Sequence, residues 1–474
     1  MKHTTTIRDL LREHLEHNRL TLERFSRITG INRGTLSSIL NVRSPKPLSI
    51  GQLDRITGGM GYDEGTLYEL FVDECFHQAA PHWRRLRPFL MRCASLGKTE
   101  CIRMVIGQLL DDLAHVPGIY DTAGLMYEEG YLAEASILYE CVAESEKYSH
   151  SERLAMSQYR IFLIACRLQD RPADAAIRFI PYRFRLPEDC VMDGLWNLAE
   201  QFAAAGRWDD AYRYAVELEE LAQAMSPYRD GSMKGRMRSK TTGEERIPAV
   251  YYARSQLLKG SVLVELGDLE GARRCMAVCR EMSWGKDSGG GASSAVRMLK
   301  TMAEGKLLEL DLLEGCRESL APYVEFLRRH PQEAEDGVSN ILRAAVEHHY
   351  NVDEELSEFS HLIHVGWMTE RGGSLPEKGR MRSRARLYYY YAAYLIAGKK
   401  CKEGFEFLLH SVRFARESGM QDIMLQCMFL YEEHRDEAGT MQTQFKSTYA
   451  LYRKETEHIC SSGCKEELTV LQNG

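Results

Sequence analysis

The stretch of residues 21–41, TLERFSRITGINRGTLSSILN, restricts the possible folds of this chain more than any other. Leu22, Phe25 and Ile28 recur every three residues, which places them on one face of a helix. Gly30 follows at a point where a helix end favours a left-handed residue, a conformation that glycine adopts without a steric penalty. The stretch therefore predicts two short helices that cross at a tight glycine turn.

The second of these helices has one apolar and one small polar face. Ile31 can fill the space between the helices, and Asn32 can cap the second helix by accepting from the N–H of Gly34 or Thr35. The inward positions are Leu36, Ile39 and Leu40. The outward positions are Arg33, Gly34, Ser37 and Ser38. Such a face permits close approach to a DNA groove, where an arginine can contact a guanine edge or a phosphate.

The residues after this helix predict a phosphate-binding loop. Pro45 and Pro47 deny residues 42–47 helical hydrogen bonds. Asn41, Arg43 and Lys46 are placed to bind the DNA backbone, which sets affinity and register but not sequence choice. We expect base contacts from Arg33, Thr35, Ser37 and Ser38. The complete predicted DNA-binding set is Asn32, Arg33, Gly34, Thr35, Ser37, Ser38, Asn41, Arg43 and Lys46.

The charge distribution agrees with a DNA-binding segment at the amino terminus. Ten lysines and arginines against five acids give residues 1–61 a net charge of +5. The whole chain has a net charge of −7, so the remainder carries −12. A positive segment on an acidic carrier is the electrostatic pattern expected of a DNA-binding module.

Over roughly residues 7–71 the chain resembles the helix-turn-helix regulators of the phage-repressor (Xre/Cro) type. The resemblance implies an all-α, five-helix DNA-binding domain at residues 1–72. Members of that family contact bases from the first two positions and the middle of the second helix, which here are Arg33, Gly34 and Ser38. Gly34 has no side chain and the family's frequent glutamine is absent from these positions, so the resemblance does not identify which bases are contacted. The alternative is a helical hairpin within an ordinary bundle.

Length and cysteine usage indicate a cytoplasmic protein of more than one unit. A chain of 474 residues is too long for one compact core. Its 13 cysteines are an odd number without a repeated CxxC, which favours reduced thiols. Cys275 and Cys279 are expected to be packing residues rather than metal ligands. With no signal peptide and no apolar run near 18 residues, we expect neither export nor a membrane partner.

From residue 76 onward amphipathic helical segments follow one another and contain a repeated pattern. Gly130, Gly206 and Gly267 are each followed at +5 by alanine and at +9 and +12 by residues that can pack. These followers are Ala135, Tyr139 and Val142; Ala211, Ala215 and Leu218; and Ala272, Met276 and Cys279. Glycine makes the turn of a helical hairpin, and the small alanine allows the helices to approach closely. Weaker copies are expected at Asp170, Gly315 and Gly398, the last with its small residue displaced to Gly404.

These hairpins resemble tetratricopeptide repeats (TPRs), which stack into a solenoid. The resemblance implies a linker and first helical hairpin at residues 73–116 and a TPR-like domain at residues 117–474. Projected back from the turns, the inner wall would carry Tyr120, Tyr127, Arg160, Arg167, Trp196, Glu200, Arg254 and Tyr388. Aromatic rings and arginines suit an extended peptide with free carboxylates. Ordinary packing between repeats, or a helical bundle without repeats, would also account for these residues.

One hexapeptide occurs twice. Residues 234–239, KGRMRS, recur as residues 378–383, and both copies precede a tyrosine-rich helix. They are expected to form long turns, either simple solvated loops or a basic site for an acidic ligand or for the DNA backbone.

The whole chain predicts a regulator rather than an enzyme. It contains no GxSxG, HExxH or Rossmann glycine pattern, so we expect no catalytic residues and no cofactor. A phage-repressor head followed by TPR-like repeats is similar to the Rap/NprR/PlcR/PrgX group of peptide-pheromone receptors. That similarity implies a cytoplasmic, quorum-sensing transcription regulator, a homodimer on a palindromic operator in double-stranded DNA, controlled by a short signalling peptide. The alternative is a TPR scaffold that sequesters a partner protein.

Overall fold

The chain folds as an all-α protein, as the sequence predicts. The computed structural model describes residues 6–77, 81–149, 151–225, 237–238, 245–246, 248–281, 290–363, 378–445 and 447–448. The one β element in these residues is an antiparallel pair, β1 (Met237–Arg238) with β2 (Glu245–Arg246), in which Met237 faces Arg246. Two compact units divide after Asn197.

The first unit contains eleven α-helices and the beginning of a twelfth in its described residues. They are α1 (Ile7–His17), α2 (Leu22–Thr29), α3 (Arg33–Ile39), α4 (Ile50–Gly59), α5 (Tyr68–His77), α6 (Trp83–Ser95), α7 (Thr99–Leu109), α8 (Val116–Glu128), α9 (Leu132–Ser145), α10 (Glu152–Leu168), α11 (Pro172–Phe179) and α12 (Glu188–Ala204). Short 3-10 turns lie at Leu113–His115 and Ile180–Arg185.

The second unit continues with paired helices. They are α13 (Trp208–Ala224), α14 (Pro248–Glu265), α15 (Leu269–Glu281), α16 (Gly290–Leu313), α17 (Leu320–Arg329), α18 (Ala334–His348), α19 (Asp353–Glu358), α20 (Lys378–Ala397), α21 (Cys401–Ser418) and α22 (Gln421–Glu433). Its 3-10 turns are Arg317–Ser319, Pro331–Glu333 and Arg435–Met441.

The turn between α2 and α3 has the geometry that the sequence predicts. Gly30 is left-handed with φ +67°, and the side chain of Asn32 accepts the N–H of Gly34 at 2.8 Å. Ile31 is buried between the helices. Of the residues predicted to share one face of α2, Phe25 is buried, but the side chain of Ile28 is 54% exposed and Thr29 is buried instead. The hydroxyl of Thr29 donates to the carbonyl oxygen of Phe25 one turn earlier, so a polar residue is tolerated on this face.

One apolar core extends across the boundary predicted at residue 72. It is continuous from Ile7 on α1 to Ile164 on α10. At its centre the ring of Phe89 on α6 makes edge contacts with Tyr68 and Phe71 on α5, with centroids 5.4 and 4.9 Å away. The first helical hairpin therefore packs directly against the amino-terminal helices, without a break at residue 72.

The predicted hairpin turns are confirmed at all three strong copies of the repeat. Gly130, Gly206 and Gly267 have φ angles between +71° and +88°, which only glycine adopts readily. Every residue predicted to pack at +5, +9 and +12 is buried. A Cβ on Gly260 of α14 would lie 3.3 Å from the carbonyl oxygen of Ala272 on α15. The small residues therefore do permit the close approach of paired helices.

The weaker copies show where the pattern shifts. Gly315 is left-handed with φ +95°, as predicted, and Leu320 at +5 is buried. At the copy assigned to Gly398, the left-handed residue is Lys399 with φ +59°. Counted from Lys399, Gly404 lies at +5, which is the position of the small residue in the strong copies. The small residue is therefore not displaced. At Asp170 the left-handed residues are its neighbours Gln169 and Arg171.

Candidate functional site

Helix α3 presents the predicted polar face to solvent. Its apolar residues Leu36 and Ile39 are buried, which fixes the rotation of the helix. Of the predicted DNA-binding side chains, Thr35 is half-buried, and the exposed members are Asn32, Arg33, Gly34, Ser37, Ser38, Asn41, Arg43 and Lys46. The structure thus brings the whole predicted set together on α3, its cap and the loop that follows.

The loop after α3 is held against the helix by backbone hydrogen bonds. The side-chain oxygen of Asn41 accepts the N–H groups of Arg43 at 2.9 Å and Ser44 at 3.1 Å. The N–H of Lys46 donates to the carbonyl oxygen of Ser38 at 2.9 Å. The side-chain oxygen of Asn41 therefore orders the loop, in which the side chains of Arg43 and Lys46 are exposed.

The three cations of this surface differ from Arg12 and Arg27 of the same segment in their partners. Arg33, Arg43 and Lys46 form no ion pair or side-chain hydrogen bond with any described residue. By contrast, Arg12 pairs with Asp9 at 2.8 Å and Arg27 with Glu23 at 3.0 Å. Unpaired guanidinium and ammonium groups beside an exposed polar helix favour a polyanionic partner.

One of the ten cations counted in residues 1–61, Arg8, lies in the interior and not on the surface. Arg8 is buried on α1 and pairs with Glu74 on α5. The sequence did contain a signal, because Arg8 lies three residues before Leu11 and seven before Leu15, which are both buried. That spacing places Arg8 on the apolar face of α1, where a charge needs a buried partner.

A second candidate site is an arginine–tyrosine cluster, formed by Tyr120, Tyr127 and Tyr139 with Arg160 and Arg167. The guanidinium carbons of Arg160 and Arg167 lie 4.3 and 5.0 Å from the ring centre of Tyr127. Tyr120 contacts Tyr139 edge-on at 5.9 Å, and burial raises the pKa of the Tyr120 hydroxyl. Neither arginine pairs with a carboxylate of the described residues. The cluster therefore joins four of the eight predicted peptide-binding residues in the first unit.

The other four predicted peptide-binding residues do not join this cluster. Trp196 is half-buried on α12. In the second unit, desolvation raises the pKa of the Glu200 carboxyl, and the charge of Arg254 opposes that rise. Tyr388 is only 1% exposed and packs against Phe407, with ring centroids 5.4 Å apart. Tyr388 is thus a core residue and not part of an accessible wall, which corrects its predicted position.

The described residues of the two hexapeptide copies have different structures. Residues 234–236 and 239 of the first copy lie outside the described residues, and Met237 and Arg238 form β1. The second copy is the first part of α20, so its predicted loop is wrong. Arg382 donates to the carbonyl oxygen of Ala204 near the end of α12, and with Ser383 it lines an open cavity of about 630 Å³. The second copy therefore connects helices within the second unit.

Chemical signatures of other functions are not evident in the described part of the chain. It contains no group of three or more histidine, cysteine or acidic side chains arranged to hold a metal ion. None of its helices combines the length and apolar character needed to cross a membrane. No protein-family model matches the chain, and no curated protein is significantly similar to it in sequence.

Proposed function

We propose that this protein is a sequence-specific DNA-binding transcription regulator in which α2 and α3 form a helix-turn-helix. The observation that carries the proposal is the face of α3, which is exposed, polar and continuous with an unpaired basic loop. Its buried stripe fixes which side faces outward, and the left-handed Gly30 sets the crossing of α2 and α3. With α3 in a major groove, we expect Arg33 to contact base edges and Arg43 with Lys46 to contact phosphates.

The test is selection of duplexes from a random pool by the full-length protein, followed by binding measurements on the selected sequence. We expect Arg33→Ala to weaken binding by about 1–3 kcal/mol if Arg33 makes a bidentate base contact. Lys46→Ala should weaken binding to all duplexes by the same factor. It should also reduce the slope of log affinity against log salt concentration by about one. Arg103→Ala on α7 is the matched control, because it removes one exposed positive charge elsewhere in the first unit.

Two results would contradict different parts of the proposal. If the full-length protein enriches no sequence and binds no duplex at low ionic strength, the proposed function is wrong. A partner-binding role of the helical hairpins alone would then be the better account. If a sequence is enriched but Arg33→Ala and Arg103→Ala bind it equally, DNA binding stands and the assignment of α3 fails.

The hairpins extend the proposal to a regulated protein, with a short peptide as the ligand of the arginine–tyrosine cluster. Arg160 and Arg167 are seven residues apart on α10, as are Tyr120 and Tyr127 on α8, so each pair shares one helical face. Guanidinium groups that lie on aromatic rings without an acidic partner are available for a carboxylate. The TPR-like arrangement, a homodimer on a palindromic operator and a cytoplasmic location belong to the same proposal.

The ligand proposal has its own assay. Random octapeptides with free carboxyl termini are compared with the same pool amidated, each titrated into the full-length protein. We expect binding of the free-acid pool only, with its loss in Arg160→Met and retention in Arg153→Met. Arg153 is the control because it already pairs with Glu146 at 2.6 Å. Equal binding of both peptide pools, or of neither, would exclude recognition of a terminal carboxylate by this cluster.

A further inference from the structure

The end of α3 is held by a buried arginine on α1. The Nε of Arg8 donates to the carbonyl oxygen of Ile39 at 2.9 Å, and its Nη2 donates to that of Lys46 at 3.1 Å. Ile39 is the last residue of α3, and Lys46 lies in the loop of residues 42–47 that follows it. The last carbonyl groups of a helix lack partners within the helix, and a cation at this end is favourable. Arg8 therefore connects the helix and the loop through their backbones.

The same guanidinium is fixed from the other side by Glu74 on α5. Nη2 of Arg8 donates to one carboxylate oxygen of Glu74 at 2.6 Å, and Nη1 donates to the other. Both side chains are 7% exposed. Paired donors and acceptors of this kind fix the relative orientation of two groups as well as their distance. We call Arg8 and Glu74 the clamp.

Helix α5 is itself attached to the first helical hairpin. The carbonyl oxygen of Glu74 accepts from Arg85 on α6 at 2.7 Å. The hydroxyl of Tyr68 donates to Asp54 on α4 at 2.8 Å, and Nε of Arg92 on α6 donates to the same carboxylate at 3.3 Å. A continuous set of contacts therefore runs from α6 through α5 and the clamp to the end of α3.

We propose that Arg8 and Glu74 are positioning residues for DNA binding, which make the first helical hairpin a part of the DNA-binding surface. The proposal rests on the proposed function. Helix α3 has seven residues, too few to hold its own position, and contacts to bases require placement within about 0.5 Å. The clamp supplies that placement without contacting DNA. A change in the hairpin can therefore alter DNA affinity through α5.

The test is a double replacement, Arg8→Met with Glu74→Leu, in the full-length protein. Apolar residues of similar volume often replace a buried ion pair without loss of folding, but they cannot hold the two carbonyl groups. We expect affinity for the selected duplex to fall about tenfold, the effect of losing one ordinary base contact. The salt dependence should stay unchanged because no phosphate contact is removed.

The matched control is Arg27→Met with Glu23→Leu. It removes an ion pair of the same composition from α2, leaves the net charge as in the test variant, and touches neither carbonyl group. We expect it to bind at least five times more tightly than the clamp variant. Equal affinities of the two variants, or a clamp variant that binds like the wild type, would overturn the proposal.

A second measurement tests the clamp in the absence of DNA. Hydrogen exchange of the free protein should show faster exchange at the N–H of Lys46, which bonds to Ser38, in the clamp variant. If wild-type protein binds no duplex, the proposed function fails, and unchanged exchange at Lys46 would independently refute the clamp. If the double variant does not fold, Glu74→Gln takes its place, because it removes only one carboxylate acceptor. Wild-type affinity and exchange in Glu74→Gln would then refute the clamp.

Discussion

Truncation of Phe89 tests whether the amino-terminal helices and the first helical hairpin unfold together. Its side chain is fully buried, and its ring contacts Tyr68 and Phe71 on the other side of residue 72. Replacing a buried phenylalanine by alanine costs about 3–5 kcal/mol from lost burial and the cavity that remains. For a unit of this size, each kcal/mol lowers the midpoint of thermal unfolding by about 2–4 °C. We therefore expect a decrease of about 6–20 °C for the first unit.

The assay is native-state hydrogen exchange on peptides that cover α2–α3 and α6–α7. If one core joins them, Phe89→Ala lowers the free energy of opening of both peptides by similar amounts. Phe162→Ala is the matched control, because Phe162 is as fully buried but stacks on Phe179, with centroids 5.6 Å apart, in the next hairpin. We expect this variant to affect α10–α11 most and α2–α3 less. Unchanged exchange of α2–α3 in Phe89→Ala would refute the shared core and support an independent domain ending near residue 72.

Two further predictions concern local structure. Lys399→Gly should stabilise the second unit by about 1 kcal/mol, because Lys399 is left-handed and glycine adopts that conformation without the steric cost of a Cβ. Denaturant titration checks this, and the control Lys400→Gly, at φ −90°, should not stabilise the unit. Hydrogen bonds from Thr6 hold the pKa of Asp9 below the 3.8 of an unperturbed aspartate, so the stabilisation by Asp9 is present above pH 3.8 and is lost as pH falls through the lowered pKa. Thr6→Ala should raise that pKa in an NMR titration; an unchanged pKa would assign the shift to another group.

Features that depend on a few neighbouring residues were predictable from the sequence. A left-handed glycine, a capping asparagine and a small residue five positions after a turn each act within one or two helical turns. Gly30, Asn32 and Gly130 therefore have the predicted geometry. The candidate DNA surface follows for the same reason, because the buried stripe of α3 determines which side chains remain outside.

Features that depend on distant partners were not predictable in this way. Arg8 and Glu74 are separated by 66 positions, so the charge count of residues 1–61 does not reveal that Arg8 has a buried carboxylate partner. Tyr388 satisfies the spacing of an inner wall, but contacts with Phe407 on the neighbouring helix bury it. A spacing rule gives the face of a helix, whereas the partner that covers that face comes from the tertiary fold.

The two KGRMRS copies show the limit most directly, because the same letters have different structures. Met237 and Arg238 pair with another strand, whereas Met381 is buried in a helix and Arg382 binds a carbonyl oxygen of a distant helix. Intrinsic helix propensities differ by less than about 1 kcal/mol per residue among such side chains. The free energy gained by burying one methionine side chain can exceed that difference. The helical structure of Met381 and Arg382 is therefore favoured by what packs against them. In α3, the buried Leu36 and Ile39 set which face points outward, and this could be predicted from the sequence, whereas the hydrogen bond from Arg8 to the carbonyl oxygen of Ile39 depends on a distant residue and could not.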